Sequence, residues 1–514
     1  MLGSWNGHIL INNRKILTRN FLVLLSISLV VCLPLLPGGV YYLDDFSRLV
    51  GGSIDYWANN GRPLAVWLAK AMNYSTVVSD TSPLFLVLGL ASLALILSLA
   101  MERLTHASPG MAVFYSLCIV LSPFICQPLL YTFDCLPILL GVGLSIAGTV
   151  RISERYVAQF AFSWVSYLAA LCLYQTSINY SLIHILLSGT LLLAAGGEAL
   201  EKNIKPFIAI ILAFVLSLVA YKTLVIPYYV IDDWNQARGA LIEPTVAGLA
   251  QLESNLTKAY AYGLLAFPGL SLWPVAALFL IGTLACWWIG AQQLNMKLST
   301  GYRYSRALFC ALAPFAVMLG IMGVLLVLKN PPLDPRVFTA FSSALIFNAS
   351  VACAAWPRVK PAIAGLLLLY LVFSAVFMMS SFRAVINQHT FDEGIAINMR
   401  GDLSRIGIEN YSQLSFIGTS PRAPSTGPAL LNYPLLKSIV FPTFRENGDF
   451  GYYGFMDKQM VFHHLATTTN DIIFHTPEKA ISSNCIYKLY VYQSTAVFDF
   501  KSPTCSMPRN FMWE

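Results

Sequence analysis

Charged residues are scarce in this 514-residue chain. Asp, Glu, Lys and Arg make up 11% of it, whereas soluble domains carry about a quarter. Apolar residues make up 57%, and the mean hydropathy is +0.64. This balance excludes an ordinary soluble protein and is typical of a polytopic α-helical membrane protein. The net charge of +7 does not predict nucleic-acid binding, because the basic residues form short clusters between apolar runs.

Several catalytic signatures are also missing. The sequence has no Walker loop, no Gly-rich dinucleotide fingerprint, no His-Glu-x-x-His and no Cys-x-x-Cys. It shows no internal repeat and no heptad pattern. We therefore expect any chemistry to come from residues that are dispersed along the chain.

Eleven apolar runs predict about eleven membrane spans, since about 17–25 residues cross a bilayer as a helix. Two of them, Met111–Ile125 and Leu136–Val150, are short enough to suit re-entrant segments instead. The first run begins too late for a cleaved signal peptide, and no small-residue cleavage site follows it. The runs are Phe21–Pro37, Pro83–Met101, Met111–Ile125, Leu136–Val150, Val157–Leu173, Ile178–Ala195, Phe207–Ile226, Leu272–Ile289, Ala307–Leu328, Val337–Ala355 and Ala362–Met379.

Basic residues cluster in every second connection between the runs. By the positive-inside rule this predicts a cytoplasmic N-terminus at residues 1–20. The longer connections at 38–82 and 227–271 then lie on the opposite face, and an odd number of spans also puts residues 381–514 there. This tail contains alternating stretches such as CIYKLYVYQSTAVFDF, which predict strands. We expect a transmembrane domain at 21–380 followed by a small soluble α+β domain.

The tail holds two of the ten cysteines, Cys485 and Cys505. We expect them to form a disulfide, because the extracytoplasmic environment is oxidising. Two free thiols in a reducing compartment are the alternative. The other eight cysteines lie in or beside apolar runs, where cysteine behaves as a small hydrophobe.

Two adjacent carboxylates, Asp44 and Asp45, stand in YYLDDFSR just after the first run. Desolvation at the bilayer edge raises the pKa of a carboxyl and suits it to act as a general base. Arginine matches a phosphate, and aromatic faces suit sugar rings. These residue types predict a site for a lipid-linked phosphosugar. Further candidates lie in the connections on the same, extracytoplasmic face of the membrane. They are Arg48, Arg62, Tyr131, Asp134, Tyr174, Gln175, Asp232, Asp233, Arg238, Asp334 and Arg336.

Each candidate also has a purely structural interpretation. Asp44 and Asp45 could lie in a solvated loop or cap a helix, and Asp134 could cap a helix at a bend. Arg336 could anchor the following run at the membrane interface. Gln175 could simply bond to a neighbouring helix.

Two further stretches bear on the same face of the protein. Asp232 and Asp233 form a second acidic doublet, which we expect to be solvated because it lies inside a long loop. The segment GRPLAVWLAK at 61–70 has an apolar face that includes Trp67 and Leu68. It predicts a helix lying on the surface, close enough to the first doublet to roof a pocket.

Four stretches in order carry a resemblance to a known family. They are the acidic pair in YYLDDFSR, then NNGRPLAVWL, then SPFICQPLLYTFDCLP, and then YQTSINY. Over roughly residues 20–400 this order resembles the bacterial glucosyltransferase II family. Its members are serotype-converting O-antigen glucosyltransferases, often encoded by prophages, and they are similar to the wider GT-C class of membrane glycosyltransferases.

The resemblance implies undecaprenyl-phosphate-glucose as donor and the O-antigen of lipopolysaccharide as acceptor. It implies a multi-pass protein of the bacterial inner membrane whose reaction takes place on the periplasmic face. The loops at 38–82 and 227–271 and the domain at 381–514 would then lie in the periplasm. Asp44 and Asp45 fall on the catalytic carboxylate position. The residues on family-like motifs are Arg62, Tyr131, Asp134, Gln175 and Arg336, and Arg48 is expected to pair with the doublet.

The implied reaction is an inverting transfer. Asp44 or Asp45 removes a proton from an acceptor hydroxyl, the oxygen attacks C1 of glucose, and undecaprenyl phosphate leaves beside arginine. We expect no metal and no cofactor, because phosphate is a good leaving group and the Asp-x-Asp motif of nucleotide-sugar enzymes is absent. Asp44 is favoured as the base on the expectation that it is the more desolvated of the pair.

Two other interpretations remain open at this point. One is a GT-C enzyme that moves another sugar or acts on protein or lipid A. The other is a lipid-linked oligosaccharide flippase or another transporter. Transporters tend to have inverted repeats and polar residues at mid-membrane depth, and neither feature is clear here.

Overall fold

The computed structural model describes residues 7–296, 299–407, 410–446, 466–467, 480–492 and 494–501. The described chain is mostly helical, and each of the eleven apolar runs overlaps a helix. A helix satisfies its own backbone hydrogen bonds, which is what an apolar surrounding requires. The helices are α1 Gly7–Val31, α2 Asp45–Gly51, α3 Tyr56–Asn59, α4 Pro63–Asn73, α5 Leu84–Thr105, α6 Pro109–Val120, α7 Cys126–Leu130, α8 Cys135–Thr149, α9 Tyr156–Leu173, α10 Ile178–Ala195, α11 Gly197–Ala220, α12 Ile226–Tyr229, α13 Asp233–Arg238, α14 Val246–Leu264, α15 Leu272–Leu294, α16 Thr300–Gly320, α17 Phe341–Ala355, α18 Lys360–Ile406 and α19 Gly427–Asn432.

Six stretches of helix in the described residues are long and apolar enough to cross a membrane. They are Leu84–Thr105, Tyr156–Leu173, Gln175–Ala195, Leu200–Tyr229, Gly269–Leu294 and Pro357–Ile406. Three more apolar helices, α6, α8 and α17, have only 12, 15 and 15 residues. At 1.5 Å per residue they measure about 18–23 Å, less than the roughly 30 Å hydrocarbon layer. A membrane protein is therefore supported, but the predicted count of eleven spans is not confirmed.

The connection between the short helices α6 and α8 carries polar residues of interest. Ser122-Pro123 follows the end of α6, and a residue before proline disfavours helix. The chain then forms α7 and a turn before α8 begins at Cys135. The connection between α6 and α8 is therefore brought to one end of the bundle, together with α2 and α4.

Neighbouring helices approach closely where small residues face a partner. The core pairs are α5 with α8, α8 with α9, α9 with α11, and α15 with α16 and α17. A side-chain carbon added at Gly282 on α15 would overlap Asn348 on α17. Close packing through glycine is a common way for helices to associate in a membrane.

α18 is a single helix of 47 residues, about 70 Å long. The predicted domain boundary at 380/381 falls inside it, and the helix continues without a break to Ile406 before Gly407 ends it at φ 85°. The continuation carries a second apolar cluster. Ile395 and Met399 pack there with Leu414 and Phe498 from the sheet.

Among the described residues after α18, five strands form one sheet. They are β1 Gln413–Ile417, β2 Ala466–Thr467, β3 Ser482–Ser483, β4 Lys488–Tyr492 and β5 Thr495–Asp499, and their order in the sheet is β2-β1-β5-β4-β3. β1 pairs in parallel with β2 and β5, whereas β4 is antiparallel to β3 and β5. The alternating stretch that predicted strands supplies β4 and β5. Cys485 is disulfide-bonded, but its expected partner Cys505 lies outside the described residues, so that pairing stays a prediction.

Candidate active site

Asp45, the first residue of α2, is fully buried and anchors the loop before that helix. One carboxylate oxygen, Oδ2, accepts the backbone N–H of Tyr42 at 3.2 Å and of Thr132 at 2.8 Å. Its Oδ1 accepts the N–H of Phe133 at 3.4 Å. Asp45 therefore ties this loop to the turn between α7 and α8. Burial raises the pKa of Asp45 to about 7, while Arg48 and the two N–H groups at Thr132 and Tyr42 lower it.

Arg48 lies one turn further along α2 and is enclosed by three carboxylates. Its guanidinium is 2.7 Å from Asp134, 3.4 Å from Asp45 and 3.5 Å from Asp44. It also lies over the ring of Trp57, 5.0 Å from the centroid. Burial alone would lower the pKa of Arg48, but the carboxylates outweigh it and the pKa lies above the usual value. This network fixes α2 against α8 through charge and hydrogen bonding.

Asp44 differs from its neighbour in exposure. Its side chain is 40% exposed, whereas that of Asp45 has no accessible surface. The expectation that Asp44 is the more desolvated of the two is therefore wrong. The physical reason is that Asp45 turns toward the backbone of the α7–α8 turn, so Asp44 is left facing outward. A general base must reach its substrate, and among the doublet only Asp44 offers open surface.

Arg62, at the start of α4, is held by three partners. Its Nε donates to Oε1 of Gln175 at 3.0 Å, and its guanidinium is 3.7 Å from Asp134. It also lies 4.8 Å from the centroid of the Tyr174 ring. Cation–π contact and a shared carboxylate thus orient Arg62 without a close bidentate ion pair.

Gln175 is more than a link between two helices. Its Nε2 donates to the carbonyl of Asn60 and, at 2.9 Å, to the hydroxyl of Tyr221, which itself donates to the carbonyl of Gly61 at 2.8 Å. Gly61 has φ 75°, and a side-chain carbon there would collide with the Tyr221 hydroxyl. Glycine is thus required for the turn that presents Arg62.

Arg336 and Tyr131 form the other side of the site. Nη1 of Arg336 donates to the Tyr131 hydroxyl at 3.1 Å, and its backbone N–H donates to Gln127 at 3.1 Å. The guanidinium is 3.6 Å from Asp334. Tyr174 connects the two sides, because its hydroxyl donates to the Arg336 carbonyl at 3.2 Å while its ring faces Arg62.

The structure brings the eight residues that the family resemblance singled out into one network, which is connected through Tyr174. They are Asp44, Asp45, Arg48, Arg62, Tyr131, Asp134, Gln175 and Arg336. Asp134 precedes α8 but makes no side-chain capping bond, so its role is ion pairing. The second doublet stays apart: Asp232 accepts the Asn235 N–H and caps α13, and Asp233 is exposed.

The predicted surface helix at 61–70 is α4, which buries Pro63, Ala65, Val66 and Ala69. Trp67 points away and is 73% exposed. Trp57, Gln127 and Tyr221 were not predicted, yet they support the arginines of the site. Gln127 was visible as a lone amide within an apolar stretch, whereas nothing in the sequence marked Tyr221.

The carboxylates of the described site are not arranged like the ligands of a metal ion. Within the part of the chain that the structure describes, no group of three or more His, Cys, Asp or Glu residues is arranged to hold an ion. The carboxylates at the site face guanidinium groups instead.

A known protein family has a model that covers this part of the chain. The family model described as Glucosyl transferase GtrII matches residues 33–347, which include all eight site residues. A protein of Salmonella phage P22, described as an uncharacterized 55.3 kDa protein in the gtrB 5′ region, is 24% identical over 422 residues, or 81% of this chain and 85% of the phage protein. No solved structure matches the chain. Because the family match spans more than half of the sequence and the whole charged network, the chain belongs to the glucosyl transferase GtrII family and is a glycosyltransferase.

Proposed function

We propose that the protein transfers glucose from undecaprenyl-phosphate-glucose to the O-antigen of lipopolysaccharide on the periplasmic face of the bacterial inner membrane. The observation that carries this proposal is one exposed carboxylate, Asp44, beside arginines at one end of an apolar helix bundle. A polyprenyl-phosphate sugar has its phosphate where the chain enters the bilayer. A site at the end of the helices suits such a donor.

Arg62 and Arg336 are the groups we assign to the donor phosphate. Arg48 is already enclosed by three carboxylates, whereas the nearest carboxylates to Arg62 and Arg336 are at 3.7 and 3.6 Å. Guanidinium groups recognise phosphate oxygens well. Tyr174 and Tyr131 orient the two arginines and leave them able to bind an anion.

Asp44 is the residue we assign as general base. It removes a proton from one acceptor hydroxyl, and that oxygen forms the new bond to C1 of glucose. The bond from C1 to the phosphate oxygen breaks, and undecaprenyl phosphate leaves with the electron pair beside Arg62 and Arg336. Attack from the side opposite the phosphate inverts the anomeric centre. No step of this proposal uses a metal, and Asp45 acts as a positioning residue because it has no open surface.

Expression of the protein in a panel of strains with different O-antigens tests the proposal. At least one strain should gain a hexose on its O-antigen repeat, measured by mass spectrometry of the released polysaccharide. Purified protein should then transfer glucose from synthetic polyprenyl-phosphate-glucose to that polysaccharide. Transfer from UDP-glucose without the polyprenyl donor, or no gain in any strain that carries a supply of the donor, would refute the proposal.

Arginine variants test the donor assignment. Losing a hydrogen bond to a charged group costs about 1.5–3 kcal/mol, so Arg336→Gln and Arg62→Gln should each lower kcat/KM for the donor by about 10- to 150-fold. Arg238→Gln is the matched control, because Arg238 lies over Trp234 in the separate 227–271 loop. Equal losses in all three variants would contradict the assignment.

A further inference from the structure

A groove of about 500 Å³ opens at the surface between the first turns of α9 and the middle of α11. Ligand pockets usually fall between about 300 and 1,000 Å³, so the groove is large enough to hold part of a ligand. The residues that line it are Tyr156, Val157 and Phe160 from α9, and Lys205, Ile208, Ala209 and Leu212 from α11.

The groove follows from the side chains that the two helices turn toward each other. The four lining residues of α11 have the spacing i, i+3, i+4 and i+7, which places them in one stripe along the helix. Ala209, in the middle of this stripe, contributes only a methyl group. Further along, the helices close, because the ring of Tyr167 meets that of Phe214 edge-on with centroids 5.8 Å apart. This contact bounds the groove on the side toward the candidate active site.

The lining of the groove is mostly apolar and open. Val157, Ile208 and Leu212 are all exposed. Both helices belong to the stretches that are long and apolar enough to cross a membrane. Hydrocarbon is therefore the surrounding that we expect for the groove, and an acyl chain is the apolar group that a membrane supplies.

One positive charge lies in the lining. Lys205 is exposed and forms no ion pair with another described residue. Its neighbour Lys202 differs, because it lies 3.4 Å from Glu154. Arg151 lies 3.4 Å from the same carboxylate and donates to Asn203, which ties the connection before α9 to α11. Lys205 is thus a cation beside an apolar groove that is free to bind an anion.

The groove lies at the opposite end of α9 from the candidate active site. Tyr156 begins this helix of 18 residues, and Tyr174, whose ring faces Arg62, follows its last residue. The helix is about 27 Å long. The basic residues around the groove predict the cytoplasmic face. A donor with its phosphate at Arg62 and Arg336 would place that phosphate at the other end, so the groove suits a different lipid.

From this arrangement we infer that the groove is a binding site for an anionic phospholipid, with one acyl chain between α9 and α11 and its phosphate at Lys205. Basic pockets between membrane helices on the cytoplasmic side bind anionic headgroups. A phospholipid with a cationic headgroup is disfavoured, because its amine offsets the attraction between phosphate and lysine. The inference goes beyond the proposed transfer reaction, since no residue of the groove belongs to the charged network of the site.

Native mass spectrometry of the purified full-length protein tests the inference. The probes are phosphatidylglycerol, which is anionic, and phosphatidylcholine with the same acyl chains, which has no net charge. The charge of one lysine near a lipid headgroup should make the wild-type protein bind phosphatidylglycerol about fivefold more tightly. Lys205→Gln should lose this preference, and Lys205→Arg, which keeps the charge, should retain it.

A matched control and a second variant separate the groove from general attraction to lipid. Lys360→Gln makes the same change at the exposed first residue of α18, outside the groove, and should keep the wild-type preference. Ala209→Leu narrows the groove and should weaken the binding of both phospholipids. Because Ala209 is buried, Lys205→Gln carries the test if Ala209→Leu fails to accumulate.

Two results on phospholipids overturn the site. They are equal affinity of the wild-type protein for the two probes, and an unchanged preference in Lys205→Gln. A third result concerns the donor. Binding of polyprenyl phosphate should be the same in Ala209→Leu as in the wild-type protein, and an equal loss of polyprenyl-phosphate binding would assign the groove to the tail of the donor instead. None of these measurements requires glucose transfer, so failure of the proposed reaction is detected separately.

Discussion

Replacement by asparagine should lower stability at Asp45 but remove activity at Asp44. In Asp45→Asn, the amide oxygen can still accept from Tyr42 and Thr132. The amide nitrogen then faces the N–H of Phe133 and the guanidinium of Arg48, which are both donors. A buried N–H left without an acceptor costs about 1–3 kcal/mol. Arg48 keeps Asp134 at 2.7 Å, so we expect Asp45→Asn to lower the free energy of unfolding by about 1–3 kcal/mol.

Asp44→Asn should instead leave stability nearly unchanged and remove activity. The Asp44 side chain is 40% exposed, and its ion pair with Arg48 spans 3.5 Å. Arg48 is buried but keeps its ion pairs with Asp45 and Asp134 when Asp44 is replaced, so losing this long, partly exposed pair should cost no more than about 1 kcal/mol. Loss of a general base lowers a rate by about 10²- to 10⁴-fold. The variant should therefore accumulate normally and fail to transfer glucose.

Both quantities can be measured on protein purified in one detergent. Denaturant unfolding gives the stability of each variant, and transfer to polysaccharide gives its rate. Asp233→Asn is the matched control, since Asp233 is an exposed member of the other doublet. Transfer by Asp44→Asn at the wild-type rate would show that Asp44 is not the base. Wild-type stability of Asp45→Asn would show that Asp45 does not anchor the loop.

Four further predictions concern the pH dependence of stability, the turn at Gly61, the topology and the disulfide. The pKa of Asp45 is raised from 3.8 to about 7 in the folded chain, so folded Asp45 holds a proton that the unfolded chain has released between these values. Because of this carboxyl, the free energy of unfolding of the wild-type protein should fall as the pH rises through that window. The loss of stability caused by Asp45→Asn, measured by denaturant unfolding, should therefore be larger at about pH 5 than at about pH 8. Gly61→Ala should lower the rate of glucose transfer at least about tenfold. The left-handed φ and the Tyr221 hydroxyl both oppose a side chain at this position, at a cost above roughly 1–2 kcal/mol. Gly51→Ala is the control, because nothing lies within 4 Å of the added carbon, and its rate should match wild type. A C-terminal alkaline phosphatase fusion should be active, and an inactive one paired with an active cytoplasmic reporter would reverse the topology. Non-reducing mass spectrometry should find Cys485 linked to Cys505, and an alkylatable thiol at Cys505 would contradict that pairing.

The helical class could be predicted from the apolar runs alone, and the polar residues that lie together could be listed in advance. An apolar run must form a helix to satisfy its backbone in lipid, so each of the eleven runs overlaps a helix. The site residues were visible because polar groups are rare in such a chain. Asp44, Arg62, Asp134 and Arg336 stood out at the ends of apolar runs, and the structure joins them.

Which of the two aspartates is buried could be known only from the folded chain. Adjacent side chains on a helix point about 100° apart, so one must turn inward, but the sequence does not say which. The answer depends on backbone N–H groups 87 and 88 residues away, at Thr132 and Phe133. The contact between the loop before α2 and the C-terminal part of the chain could not be predicted for the same reason. Tyr42 meets Ile439 across 397 residues, and contacts at that separation leave no periodic signal in the chain.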